Sequence, residues 1–378
     1  MALGIHNAGF QHLALVEWDQ HAVETLRRNS LAVLDRDPAY VISSDVRLFD
    51  FKRYLGTIDL LAGGPPCQPF SAGGRSRGPD DERDMFPIMA DVVGDVLPRA
   101  VLIENVRGLL RDDFTTYFDY IMHRLRYPLS RMWNGENWVE HYQRLRRTSP
   151  SDYGDDEQYL VGYQLVDAAD FGIPQRRYRV IITAFRRDLG YEPIRLVPTH
   201  SREALLKTQW ITGEYWERHG VEPFDYLTPS DKKLIAKLKK NPKGPWDSLI
   251  PWRTVRDAIG GLPAPVPRGQ REVVPNHIQH PGARAYKGHV GSQWDYPSKA
   301  LKAGMNGTPG GENTLRVARD GNEVRYYTTR EAGRLHTFPD EWHFVGTWSA
   351  CIKQLGNAVP VELARVYASE IRDRIQPV

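Results

Sequence analysis

Leu61 to Ser71 reads Leu-Ala-Gly-Gly-Pro-Pro-Cys-Gln-Pro-Phe-Ser, an apolar strand end that runs into glycines, two prolines, a cysteine and a third proline. Proline fixes φ and removes a backbone donor, so this stretch is a rigid loop and not the start of a helix. The apolar run Ile58 to Ala62 that leads into it is predicted to be a strand. Open α/β sheets bind ligands outside the carboxyl ends of their strands, and Cys67 therefore stands where a nucleophile is useful. The common fate of a free cysteine is to act as a small buried hydrophobe, and the bracket of prolines argues against that fate here.

Short apolar runs extend the pattern outward. His12 to Glu17, Tyr40 to Ser44 and Ala100 to Glu104 are predicted strands; Tyr163 to Val166 and Tyr178 to Phe185 are two more, separated by the turn Asp170-Phe171-Gly172-Ile173-Pro174. Ala22, Val23 and Leu26 share one helical face, as do Ile88, Met89, Val92, Val93 and Val96. Strands alternating with amphipathic helices imply a doubly wound α/β sheet. From Arg186 to Gly346 the alternation fails, Pro and Gly become frequent, and a helical pattern is sustained only near Ser230 to Leu238. The pattern returns at Val361, Leu363, Ala364, Val366, Tyr367 and Ile371, an amphipathic terminal helix suited to pack back on the first unit. The expected organisation is a unit of residues 1–188 plus 347–378 and a loop-rich second lobe of residues 189–346. A chain of 378 residues exceeds the size at which one core stops growing, in keeping with two packed units.

Composition bounds the function classes. Charged residues at 26% and hydrophobic ones at 41% describe an ordinary globular chain. Fifty Lys and Arg against 47 Asp and Glu leave a net charge of +3, too small by itself to mark a nucleic-acid binder. Locally, Pro229 to Gly260 holds eight Lys/Arg against three Asp, which suits either phosphate contact or a solvated helix face. Cys67 and Cys351 make no disulfide framework and lack a paired Cys/His spacing for zinc, so no metal is expected and a reducing cytosol is. No stretch approaches the roughly 18 apolar residues of a membrane span, and no basic-then-apolar signal opens the chain.

Two further elements carry chemistry. Glu104-Asn105-Val106 ends the next predicted strand and brings a carboxylate to the edge where Cys67 lies if the strands are neighbours, although an isolated Glu is usually a surface residue. In Gln175-Arg176-Arg177-Tyr178-Arg179, alternation turns Gln175, Arg177 and Arg179 to one face. Two guanidiniums there want an anion or a carbonyl; a solvated basic strand edge is the plainer reading.

Together the Pro-Cys-Gln loop, Glu-Asn-Val and Gln-x-Arg-x-Arg resemble, in order, the hallmark motifs of the cytosine-5 DNA methyltransferases. Further matches are Glu17-Trp18, Asp45-Val46, the stretch Arg330-Glu331, Arg334-Leu335 and Thr337-Phe338-Pro339, and Gln354-Leu355-Gly356-Asn357-Ala358-Val359-Pro360. The resemblance implies a Rossmann-like sheet that uses S-adenosyl-L-methionine, with a target-recognition lobe at residues 189–346. It implies Cys67 as nucleophile on carbon 6 of cytosine, Glu104 as the acid at ring nitrogen 3, Arg179 at the ring carbonyl, and Arg177 and Asn105 in support. Cofactor contacts are expected from Glu17, Trp18, Asp45, Val46, Pro66 and Asn357. DNA contacts are expected from Gln68, Ser71, Lys299, Lys302 and Arg330, with base reading between Asn276 and Arg325. Trp252 to Pro263 resembles a connector that precedes the recognition lobe. The implied partners are double-stranded DNA and a cognate restriction endonuclease, the chain acting as a monomer in a bacterial or phage-host cytosol.

The family's opening strand with its Phe-x-Gly-x-Gly-Gly loop has no counterpart, since Met1-Ala2-Leu3-Gly4-Ile5 resembles the helix that follows it. Its absence is expected to expose strand edges and to weaken S-adenosylmethionine binding, with an upstream in-frame strand as one explanation. The alternative is a truncated, catalytically inactive duplex-DNA-binding protein. A third option, the family's tRNA-methylating branch, is disfavoured by the long recognition lobe.

Overall fold

The computed structural model describes residues 1–66, 84–241, 243–285, 290–303, 312–317 and 323–376. Cys67, Gln68 and Ser71 lie outside the described residues. The first half runs α1 (Ala2–Asn7), β1 (Leu15–Glu17), α2 (Gln20–Val33), β2 (Val41–Ser43), β3 (Leu60–Gly63), α3 (Phe86–Val96), β4 (Ala100–Val106), α4 (Thr115–Arg126), α5 (Trp138–Leu145), β5 (Tyr159–Asp167), β6 (Gln175–Arg176) and β7 (Tyr178–Arg186). The central sheet has the order β3-β4-β7-β5, with β3 parallel to β4 and β7 antiparallel to both its neighbours.

In β4 every residue from Ala100 to Asn105 is buried, because both faces of the sheet are covered. Alternation sorts the side chains: Ala100, Leu102, Ile181 and Phe185 pack on α1 and α12 (Val361–Ile375), while Val101, Ile103, Val180 and Ile182 pack on α3 and α4. The close approach of α1 to α12 requires Gly4, where a Cβ would meet the Val361 carbonyl oxygen at 2.4 Å.

The expected single sheet is in two pieces. β1 and β2 form their own parallel pair, with Glu17 opposite Ser43. No described strand bridges β1 to β3, so backbone pairing stops between them.

Beyond β7 the chain is more helical than its composition predicts. It forms β8 (His200–Ser201), α6 (Arg202–Trp210), α7 (Glu214–His219), α8 (Pro229–Lys240), β9 (Ile250–Pro251), α9 (Val255–Ile259), β10 (Ser298–Lys299), β11 (Thr314–Arg316), β12 (Val324–Tyr326), α10 (Thr329–Leu335) and α11 (Trp348–Asn357). Of these, α6, α7, α9 and α10 are too short to sustain a visible period, and local caps define the starts of several of the helices. Thr228 with Asp231, Thr254 with Asp257 and Thr328 with Glu331 each form a capping box. Leu205, Tyr215, Trp216 and Trp252 share one hydrophobic cluster, which joins α6, α7 and the segment after β9. Val255, Ile259, Leu335, Trp342 and Phe344 instead share a core with Leu3, Leu34, Ile352 and Leu355, so packing crosses the boundary expected at residue 346. Among the described residues no helix is long and apolar enough to cross a membrane.

Candidate active site

The parallel pairing of β3 with β4 puts Gly63 opposite Ile103, so the root of the proline loop and Glu104 emerge at the same edge. A Cβ on Gly64 would lie 3.4 Å from a Glu104 carboxylate oxygen. Asn105 ties the loop down, donating from Nδ2 to the Pro65 carbonyl at 3.2 Å, while its Oδ1 accepts from the Val106 amide at 2.8 Å. Pro66 is the last described residue before Cys67.

In the antiparallel ladder Glu104 faces Ile181 and Val106 faces Arg179, so Glu104 and Arg179 are diagonal neighbours on one sheet face. They form an ion pair through Arg179 Nε with both side chains about nine-tenths buried. The cavity beside Glu104 is lined by Met1, Leu102, Ile181, Val359, Leu363 and Tyr367.

Arg177 has a different task. It is fully buried and donates to the carbonyls of Leu301 (2.9 Å), Gly356 (2.6 Å) and Ala358 (3.2 Å). One guanidinium thereby joins three chain segments, and burial, helped by the Arg179 charge, pushes it down to about 9. Gln175 sits beside it, accepting from the Leu301 amide. Asp167, which sequence reasoning missed, organises the preceding turn: it ion-pairs with Arg176 and accepts from the Arg177 amide at 3.1 Å.

The β1–β2 pair carries four of the residues expected at the cofactor. Glu17 Oε1 accepts from the amides of Trp18 and Asp19, both at 2.9 Å, which holds the carboxylate at the end of β1. Trp18 presents an indole that is 72% exposed. Asp45 follows β2 at the same end and is held down to about 2, first by its hydrogen bond to the Arg47 side chain. Val46 begins the turn after it. A fixed carboxylate acceptor, an open aromatic face and a second anionic acceptor at neighbouring strand ends fit the ribose and adenine of a nucleoside cofactor. Asn357 is exposed at the end of α11, whose Gly356 abuts the Lys302–Ala303 backbone so closely that a Cβ would fall 2.2 Å from the Ala303 nitrogen. Lys353 and Asp19, paired at 2.7 Å, link α11 to the end of β1.

Lys299 lies in β10, beside Arg176 of β6, and Lys302 is paired with Glu312 at 3.0 Å. Arg330 corrects an expectation. Instead of reaching toward DNA it is fully buried and donates to the carbonyls of Pro275 (3.1 Å), Pro339 (3.0 Å) and Trp342 (2.9 Å), which leaves no surface for a phosphate. Cys351, the second thiol, is buried and pushed up to about 11, so it carries negligible thiolate at neutral pH.

A family model described as C-5 cytosine-specific DNA methylase matches residues 1–127 and 134–373. The chain belongs to that family. It is 32% identical to Type II methyltransferase M.Eco47II of Escherichia coli over 96% of this chain and 74% of that protein. It is 29% identical to Type II methyltransferase M.NgoMIV of Neisseria gonorrhoeae over 98% of this chain and 93% of that one. In fold it resembles the crystal structure of S. pombe Dnmt2 methyltransferase, with a TM-score of 0.53 and 16% identity over 99% of this chain and 95% of that one. As a C-5 cytosine DNA methyltransferase it acts on duplex DNA, and its methyl donor is S-adenosyl-L-methionine.

Proposed function

We propose that this methyltransferase works through a covalent Cys67 adduct on a cytosine flipped out of the duplex, within one recognised sequence. The observation that carries this reading is the buried Glu104–Arg179 pair at the root of the Pro65-Pro66 loop, an acid and a guanidinium set beside the loop that bears the thiol. Carbon 5 of cytosine is a poor nucleophile while the ring is aromatic. Addition of the Cys67 thiolate to carbon 6 turns the ring into an enamine. Negative charge then develops on the ring, and Glu104, which takes up a proton from water as it exchanges Arg179 for the base, donates that proton to nitrogen 3 while Arg179 holds the carbonyl oxygen. Bound S-adenosylmethionine supplies the methyl group as a sulfonium electrophile. Loss of the carbon 5 proton and of Cys67 restores the aromatic ring. A stacked base is inaccessible to this chemistry, so the target must leave the helix.

In this reading Glu17, Trp18, Asp45, Val46, Pro66 and Asn357 hold the cofactor, while Arg177 and Asn105 keep the strands and the loop in place. Residues 189–346 supply target recognition, with Lys299 and Lys302 at the DNA together with Gln68 and Ser71. A cognate endonuclease is the natural partner of such an enzyme.

The adduct is tested, with S-adenosyl-L-methionine present, on a duplex whose target cytosine bears fluorine at carbon 5, so that methyl transfer leaves carbon 5 with no proton to lose. Fluorine cannot leave as a cation, so the adduct should persist and migrate as a denaturant-stable complex. The wild-type chain is expected to give the complex and Cys67→Ser none, with duplex affinity nearly unchanged. A stable complex formed by Cys67→Ser would overturn the assignment.

A further inference from the structure

Arg107 stands at the edge of the candidate site and has no part in the chemistry above. It opens the turn Arg107–Leu110, which leaves β4 directly after Glu104, Asn105 and Val106, so it emerges at the edge where the Pro65-Pro66 loop is rooted. Its guanidinium lies over the Tyr178 ring, 5.5 Å from the centroid. Tyr178 precedes Arg179 in β7, and alternation sets its ring on the sheet face opposite the Glu104–Arg179 pair but at the same edge.

The ring carries a second cation. Arg176 lies 5.5 Å from the same centroid and 4.6 Å from that of Trp252, and its charge is neutralised by Asp167. Arg176 is in register with Lys299 of β10, so Arg107, Tyr178, Arg176 and Lys299 form a row from the end of β4 toward the recognition lobe. The free charges are at its two ends, since among the described residues neither Arg107 nor Lys299 has an ion pair. Arg107 is exposed and borders an open cleft with Leu110, Arg111, Asp112, Asp113 and Leu165. The two carboxylates leave that cleft electrically mixed, but they do not pair with Arg107, whose guanidinium lies on Tyr178 instead.

A guanidinium stacked on an aromatic face keeps the N–H donors at its rim open, and their fork matches the oxygens of a phosphate. A cytosine that reaches Glu104 and Arg179 brings its sugar and phosphates with it. Phosphates are too costly to desolvate to follow the base into a buried site, so they stay at the sheet edge, where Arg107 stands.

We propose that Arg107 is a phosphate-binding residue: seated on Tyr178, it contacts the backbone of the target strand beside the flipped cytosine. The inference rests on the cytosine pocket proposed above. Such a contact fixes the strand from outside the recognition lobe and reads no base.

The test measures duplex affinity across a range of salt concentrations, without a methyl donor. Arg107→Gln is expected to weaken binding about 10-fold and to reduce the salt slope by about 0.9, whereas Arg107→Lys, which keeps the charge, should keep the slope. Unchanged affinity and slope in Arg107→Gln overturn the inference. The position of the contact is read with duplexes in which one phosphate at a time is replaced by an uncharged methylphosphonate, around the cytosine that bisulfite sequencing of enzyme-treated DNA identifies. At a phosphate adjacent to that cytosine the replacement should weaken wild-type binding and cost Arg107→Gln nothing further. If the two losses add at every phosphate, or if the position that costs Arg107→Gln nothing lies away from the cytosine, the inference is overturned. If no cytosine is methylated, or Glu104→Gln methylates as fast as wild type, the pocket reading fails instead, and the salt slope still decides whether Arg107 meets a phosphate.

Discussion

Removing the Arg330 guanidinium would leave the Pro275, Pro339 and Trp342 carbonyls without their donor. Each buried group left unsatisfied costs about 1–3 kcal/mol, so Arg330→Leu is expected to lower the unfolding free energy by roughly 3 kcal/mol or more. Denaturant titration measures that loss. The salt dependence of duplex binding should stay unchanged, and a shallower slope would return Arg330 to the DNA. His141 gives a pH dependence. It is fully buried between the Tyr120 hydroxyl (3.1 Å) and the Ser130 carbonyl (2.8 Å). Burial, then the Arg124 and Arg144 charges, pushes it down to about 4, with Glu136 opposing. A depressed folded-state value means that the unfolded chain takes up the proton first. The stability His141 contributes is therefore complete above about pH 6.5 and is lost as pH falls toward 4. Thermal melts over that range should fall more steeply for wild type than for His141→Gln, and parallel curves would refute the assignment.

Among the elements, α1 and α12 cover the sheet face that carries Leu102 and Ile181, and Gly4 sets their separation. Gly4→Val would drive its side chain into the Val361 carbonyl and the Ala364 methyl. Overpacking of this kind costs typically 1–3 kcal/mol, so the urea midpoint should drop accordingly, while an unchanged midpoint would mean that the helices separate freely. The main strands through β7 and the helices α2 and α3 are legible from period alone, since alternation and helical faces are properties of neighbours in sequence, whereas α4 and α5 are not read from it. The short helices α6, α7, α9 and α10 are not legible, because five to nine residues give too little period and tertiary contacts select them.

At the scale of the molecule, α8 turns Lys237, Lys239 and Lys240 to solvent, none with an ion pair among the described residues, whereas Lys232 is paired with Asp225. If these lysines meet phosphates, replacing all three with Gln should reduce the salt slope of duplex binding by about 0.9 per lost contact. Affinity measured across a range of salt concentrations decides it, and an unchanged slope would mark a solvated helix face. The core clusters also show why a boundary at residue 346 is not visible in packing. α9, α10 and the Trp342–Phe344 segment close over Leu3, Leu34 and α11 and so belong to the same apolar core.

By itself the sequence determined the α/β class, the order of the motifs and the residue types of the site, because these are written in local period and spacing. It also placed Glu104 and Arg179 at strand positions that a sheet can bring together. Only the tertiary structure decided that the two are partners, since register between β4 and β7 depends on pairing between residues 75 positions apart in the chain. It likewise buried Arg330 and Arg177 against main-chain carbonyls. Spacing cannot say which way an arginine faces once distant segments supply the acceptors. Burial is settled by packing, and packing is a property of the folded whole.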